Sequence, residues 1–219
     1  KYFCANESVK QLLLRTQIDE KNIVTMNYPI QNKFEKQHKR LKSYEDFIVN
    51  KKTILINSGS NGTNYYFDIL QKLIYHDFQI IFIAGKNKLL FNKCNQFIQK
   101  NQLSYKCKIY EYVDNIEDII SNVDIVITKA GANTFFELLQ MNTPMLIDST
   151  QGTVYQEKGI KNYIEEQKIG MVFYDLSEVE EILENMLEYK NYTKYFLNIQ
   201  NLNYKNGSRE IIDNITKGV

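Results

Sequence analysis

Two rhythms of apolar residues alternate along most of the chain. Short, nearly unbroken apolar runs at Thr53–Asn57 (TILIN), 79–84 (QIIFIA) and 124–128 (DIVIT) have the length and β-branched content of buried strands. Between them the apolar positions fall at helical spacing, as with Phe67, Leu70, Leu73 and Ile74 in the stretch 65–75. Continuing this reading, helices are expected over Lys88–Lys100, 116–121, 133–141, 157–166 and 177–188. Strands are expected over 107–113, 144–147 and 171–174. Ser177 with Glu180 has capping-box spacing and is read as the start of the last of these helices.

Strands that alternate with helices and are apolar on both faces predict an α/β fold, a Rossmann-like doubly wound parallel sheet. The regular pattern starts at Lys52. Ahead of it, 1–4, 7–14 and 22–26 read as strand, helix and strand, and Tyr28-Pro29 breaks the series. Residues 33–51 are highly charged and read as a linker with a leading helix over 43–49. The tail from Tyr192 reads as one or two helices broken at Asn206-Gly207.

Composition narrows the function. The chain has 219 residues, 43% apolar and 24% charged, with a net charge of +1. That balance suits a folded domain with attached pieces and disfavours a nucleic-acid binder driven by bulk charge. The three cysteines, Cys4, Cys94 and Cys107, have neither CxxC nor metal spacing and read as buried or free thiols in a reducing compartment. His38 and His76 are isolated and read as surface residues. No metal motif, catalytic triad, signal peptide or membrane-length apolar run is visible. The chain opens on Lys1 and is read as a fragment or a processed product.

In an open parallel sheet, ligands sit beyond the carboxyl ends of the strands. Three loops expected there are chemically unusual. In Asn57-Ser58-Gly59-Ser60-Asn61-Gly62-Thr63, two glycines permit close backbone approach, and hydroxyls and amides at a helix start suit a phosphate. An ordinary strand-to-helix turn fits the same residues. The second loop, Thr128-Lys129-Ala130-Gly131-Ala132, opens a helix with small residues that leave its first amides uncovered. On that helix Asn133, Thr134, Glu137 and Gln140 form a narrow polar stripe. A carboxylate one turn in can accept from the two hydroxyls of a ribose, although a solvated outer stripe is the plain alternative. Lys129 can assist a phosphate or simply decorate a strand end. The third loop, from Ser149 to Gly159, contains Gln156 and Glu157. These can read sugar hydroxyls, or belong to a surface loop.

These loops, in this order, resemble the C-terminal half of one glycosyltransferase family. It contains the monogalactosyldiacylglycerol synthases, the processive diacylglycerol glucosyltransferases and the N-acetylglucosaminyltransferase that makes lipid II. The most specific match is Ile127-Thr128-Lys129-Ala130-Gly131, then Glu137, Pro144 and Gln156-Glu157. The segment from Tyr112 to Ile116 and the opening from Tyr2 through Pro29 to Phe34 also fit. The Thr-Lys-Ala-Gly form is nearer the diacylglycerol branch. Departures are Gln31 where the family has Arg, Ser58 for the first loop glycine, and Tyr155 and Ile160 around the Gln-Glu pair.

The resemblance implies the C-terminal half of a two-domain GT-B glycosyltransferase that needs no metal or other cofactor. Residues 1–51 would be the remnant of an N-terminal domain and linker, 52–190 the UDP-sugar-binding domain and 191–219 C-terminal helices. Gly59, Ser60 and Gly62 would lie by the phosphates and the Val113 backbone by uracil. Gly131, Ala132 and Thr134 would line the pyrophosphate, Glu137 would hold the ribose, and Gln156 and Glu157 would contact the hexose.

The implied reaction is hexose transfer from a UDP-sugar to a membrane lipid, diacylglycerol, by a cytoplasmic enzyme peripheral at the inner face of the cell membrane. The acceptor site and catalytic base would belong to an N-terminal domain or an equivalent subunit, so no catalytic base is named. The basic run 33–42 can touch anionic lipid or be a solvated face. Alternatives are a lipid II-type transferase, a UDP-sugar epimerase, or a non-catalytic donor-binding half that pairs with a separate acceptor-binding subunit.

Overall fold

A computed structural model describes residues 1–5, 7–36, 47, 51–152 and 155–216; the side chains of Ser8 and of 155–158 are outside that description. The expected helix over 43–49 and His38 therefore lie outside the described residues, as does the basic run beyond Lys36. The chain forms two compact units. One comprises Lys1–Lys36 with the segment from Asn203, the other Gln37–Leu202.

In the smaller unit, β1 (Tyr2–Cys4) and β2 (Ile23–Thr25) pair in parallel around the crossover helix α1 (Glu7–Arg15). Strand β2 is shorter than the apolar run around it. Asp19 caps a 3₁₀ turn, Glu20–Asn22, by accepting from the Lys21 N–H at 3.1 Å, and the strand starts only at Ile23. The C-terminal segment fastens onto residues 28–30. Asn206 takes the Ile30 N–H through Oδ1 and gives Nδ2–H to the Ile30 carbonyl, both at 3.0 Å, an amide standing in for a strand partner. Tyr204 donates to the Tyr28 carbonyl at 2.5 Å.

The larger unit is a six-stranded, wholly parallel sheet. Its strands are β3 (Thr53–Asn57), β4 (Gln79–Ile83), β5 (Cys107–Tyr110), β6 (Ile125–Lys129), β7 (Met145–Asp148) and β8 (Gly170–Phe173). Their spatial order is β5-β4-β3-β6-β7-β8, the doubly wound arrangement expected. The helices are α2 (Tyr66–Leu73), α3 (Lys88–Lys100), α4 (Ile116–Ile120), α5 (Ala132–Gln140), α6 (Tyr155–Gln167), α7 (Val179–Leu187) and α8 (Tyr189–Asn201); α9 (Ser208–Thr216) belongs to the smaller unit. Every residue of β3, β4 and β7 is buried. Helices cover both faces, which is why these strands read as unbroken apolar runs rather than alternating ones.

Several boundaries differ from the sequence reading. Strand β5 ends at Tyr110 rather than Val113. Its last rung is Ala84 N–H to the Tyr110 carbonyl at 2.8 Å, and β4 has by then left the ladder. Ser177 is not the cap of α7. Asp175 is the capping residue of the 3₁₀ turn Leu176–Glu178, in a capping box with Glu178, and the Ser177 hydroxyl donates to it at 2.6 Å. An aspartate two residues upstream is the stronger acceptor and takes the role. His76 is half-buried, not a surface residue. It lies between Glu180 and Glu184 of α7, with Nε2 2.9 Å and Nδ1 2.7 Å from their carboxylates. The tail is two helices, α8 and α9, separated around Asn206-Gly207.

Candidate functional site

The strand order places the topological switch point between β3 and β6. Ile54, Leu55 and Ile56 lie in register with Ile125, Val126 and Ile127, so the loops leaving these two strands emerge side by side.

The loop after β3 is built by glycines and an asparagine. Asn57 is buried and its Oδ1 accepts from the Gly59 N–H at 3.1 Å. Ser58 turns inward and gives its hydroxyl to the Ile83 carbonyl at 2.7 Å. Gly62 and Gly85 have φ of +68° and +63°. A Cβ on Gly62 would collide with the Ala84 carbonyl, and one on Gly85 with the carbonyls of Gly59 and Ser60. Only glycine allows this backbone-to-backbone approach. Asn87, the cap of α3, seals the contact by donating Nδ2–H to the Gly62 carbonyl and to Asn64 Oδ1, both at 2.9 Å. Gly62 is therefore a packing glycine whose own N–H goes to the Gly59 carbonyl. Gly59 faces open space and Ser60 is exposed at the tip.

Further along the same edge, Val113 is half-buried in the loop after β5. Beside it the Lys86 ammonium sits 5.5 Å from the centre of the Tyr112 ring. The Lys86 N–H also reaches the Ser60 carbonyl at 2.9 Å, so the loops after β3, β4 and β5 form one connected rim.

On the other side of the switch point, Lys129 ends β6 half-buried, and no ion pair engages it among the described residues. Gly131 is the cap residue of α5, with φ −72° and ψ 132°, and no side chain caps the helix. The N–H groups of Ala132 and Thr134 have no hydrogen-bond partner among the described residues, and Gly131 faces open space. Unpaired first-turn amides and the helix dipole together favour an anion here. Phe135, Leu138 and Leu139 are buried against the sheet. That leaves Asn133 exposed and Thr134 and Glu137 half-buried, three residues apart on one face. The stripe is thus partly enclosed rather than fully solvated.

Gln156 and Glu157 fall in the first turn of α6. Phe135 meets Tyr163 edge-on at 6.0 Å, holding α6 against α5. The root of the loop that joins β7 to α6 is strongly pinned. Asp148 Oδ1 accepts from the Thr150 N–H at 2.9 Å and from its hydroxyl at 2.7 Å. Ser149 accepts from the buried Lys161 ammonium at 2.6 Å. The Tyr65 hydroxyl lies enclosed nearby. Burial raises its pKa, the Thr150 hydroxyl pulls it down and the Asp148 charge raises it further. These anchors escaped the sequence reading, because an Asp at a strand end and a Lys within a helix carry no signal of whom they meet. Asn87 had one: an asparagine directly before a helical run.

Every candidate residue thus lies at the carboxyl edge of the sheet. Among the described residues no three His, Cys, Asp or Glu side chains converge to hold a metal ion, and no helix is long and apolar enough to cross a membrane.

Residues 53–188 match the model of the glycosyltransferase family 28 C-terminal domain. The processive diacylglycerol β-glucosyltransferase of Bacillus subtilis (strain 168) is 26% identical over 222 residues, covering 99% of this chain and 57% of its own length. The enzyme of the same name from Bacillus cereus (strain G9842) is 28% identical, covering 86% and 48%. The chain thus spans about half the length of these relatives. Among solved structures, Acinetobacter baumannii MurG superposes with a TM-score of 0.71 at 14% identity, covering 98% of this chain and 64% of that one. Anabaena Alr3699/HepE, solved in complex with UDP and glucose, superposes at 0.61 with 12% identity, covering 98% and 62%. At these identities the superpositions establish the fold.

Proposed function

The chain belongs to the family of the glycosyltransferase family 28 C-terminal domain, and from that premise we propose that it is the donor-binding half of a UDP-sugar-dependent hexosyltransferase that glycosylates a membrane lipid, diacylglycerol. The observation that carries the reading is the start of α5. It presents unpaired amides at the switch point, with Thr134 and Glu137 on the adjoining face. The names of the curated relatives support the lipid acceptor, and the neighbour solved with UDP and glucose supports the donor.

In this reading the pyrophosphate lies between the tip Gly59–Ser60 and the amides of Ala132 and Thr134, with Lys129 beside it. Gly62 shapes the phosphate loop from behind. Glu137 accepts from the ribose hydroxyls, the Val113 backbone meets uracil, and Gln156 and Glu157 face the hexose. As the glycosidic bond to UDP breaks, negative charge grows on the leaving phosphate. Pre-aimed amides and a cation stabilise that charge without reorganising. The catalytic base and the acceptor site are assigned to no residue of this chain. They belong to an N-terminal domain or a partner subunit that faces this one, at the membrane surface.

Calorimetric titration of UDP into the 219-residue chain tests the donor site. Saturable heat in the micromolar-to-millimolar range is expected, and no heat at millimolar UDP overturns the reading. Product analysis with diacylglycerol and with the lipid I acceptor, in the presence of the complementary half, separates the two branches of the family.

A further inference from the structure

The loop after β3 spends most of its backbone donors on itself. The Ser58 N–H goes to the Ile83 carbonyl, that of Gly59 to Asn57 Oδ1, that of Gly62 to the Gly59 carbonyl and that of Thr63 to the Ser58 carbonyl. The Ser58 hydroxyl is given to the Ile83 carbonyl as well. A diphosphate carries several negative charges at neutral pH, and on this side of the switch point it meets few open amides to offset them. Compensating charge has to come from a side chain fixed to the loop. Lys86 is so fixed. Its N–H holds the Ser60 carbonyl at 2.9 Å. Gly85 before it, at φ +63°, lies where a Cβ would strike the carbonyls of Gly59 and Ser60. Asn87 after it donates to the Gly62 carbonyl. The Lys86 backbone is therefore pinned against the loop tip while its side chain is exposed. That side chain is placed at the rim: its ammonium lies 5.5 Å from the centre of the Tyr112 ring, itself 51% exposed. No carboxylate pairs with it among the described residues. A cation–π contact at an exposed position is weak and yields to an anion.

We propose that Lys86 is a ligand of the donor diphosphate. The Tyr112 ring keeps its ammonium at the rim, and a phosphate oxygen, the stronger partner, takes it from the ring. Lys129 and the open amides of α5 meet the same anion from the other side of the switch point. As the bond to UDP breaks, Lys86 and Lys129 together offset the charge that grows on the leaving group. The assignment rests on the donor reading above and adds to it a residue of the loop after β4, which that reading does not use.

The test is calorimetric titration with UDP, and ligand-observed NMR titration with uridine, on the full chain and its variants. Lys86→Met removes the charge, keeps an unbranched stem and leaves the backbone bond to Ser60 in place. It is expected to weaken UDP about tenfold, the size of a lost charge-assisted hydrogen bond, and to leave uridine within roughly twofold. Its melting temperature should match that of the wild type, which separates a lost phosphate contact from a disturbed loop. Lys86→Arg keeps a cation and is expected to bind UDP within about threefold of wild type. Lys88→Met removes another exposed lysine, at the start of α3. It is expected to change UDP affinity by less than about twofold, as a distant screened charge does. Unchanged UDP affinity in Lys86→Met, equal losses for UDP and uridine, a loss in Lys86→Arg as large as in Lys86→Met, or an equal loss in Lys88→Met would each overturn the assignment. A wild-type chain that binds no UDP would instead overturn the donor reading, and the assignment with it.

Discussion

Asn87 donates through Nδ2 to the Gly62 carbonyl at 2.9 Å, and this contact helps hold the loop after β4 against the loop after β3, beside the Lys86 N–H bond to the Ser60 carbonyl. The same side chain caps α3 by accepting from the Leu90 N–H at 3.0 Å. Asn87→Ala removes the cap and both donated bonds together. A destabilisation of about 1–3 kcal/mol is expected in chemical denaturation, at the upper end of cap losses. UDP affinity should fall as well, because the phosphate-side loop loses its brace.

Gly62 cannot accept a side chain without moving the Ala84 carbonyl. Gly62→Ala is expected to cost more than the ~1 kcal/mol of placing alanine at positive φ, since a backbone collision is added to the strain. Gly59, at φ +84° but facing open space, carries the conformational term alone. Gly59→Ala should therefore be the milder change in a thermal melt. Equal losses at the two positions would refute the packing account.

Glu137 is assigned to the ribose. Glu137→Gln is expected to weaken UDP by roughly 1.5–3 kcal/mol, the range for hydrogen bonds to a charged group. The loss should be much smaller for 2′-deoxy-UDP, which lacks one of the hydroxyls. A calorimetric cycle over the two proteins and two ligands measures this directly. Additive losses would remove Glu137 from the ribose site.

His76 gives a pH signature. Glu180 first, against burial and with Glu184 adding to it, holds its pKa above the ordinary 6.5. His76 and then Lys72 hold Glu180 below the ordinary 4.5. The histidine's contribution to stability is complete below 6.5 and is lost as pH rises through the raised folded value. The carboxylate's contribution is present above 4.5 and lost as pH falls through the depressed value. The bridge from the turn after α2 to α7 is thus at full strength between 4.5 and 6.5. Melting temperatures across this range should peak within it, and His76→Ala should flatten the fall on the alkaline side. An unchanged alkaline limb would show that the bridge contributes nothing.

Much of this protein was determined by residue pattern alone. Unbroken apolar runs such as TILIN and QIIFIA are demanded only of strands covered on both faces, and small residues at Ala130-Gly131-Ala132 mark a helix start with no cap of its own. These are local consequences of sterics and solvation, so they survive without coordinates. The break at Asn206-Gly207 was likewise visible. What tertiary structure alone decided is which distant groups meet. His76 pairs with residues 104 and 108 positions away, Gly62 packs against the Ala84 carbonyl, and Lys161 reaches back to Ser149. Asp175 displaced Ser177 as a cap for a related reason: two acceptors competed, and the geometry of the strand exit chose between them. Hydrogen bonds and ion pairs act over a few ångströms, so which residues they join depends on how the chain folds and not on their spacing along it.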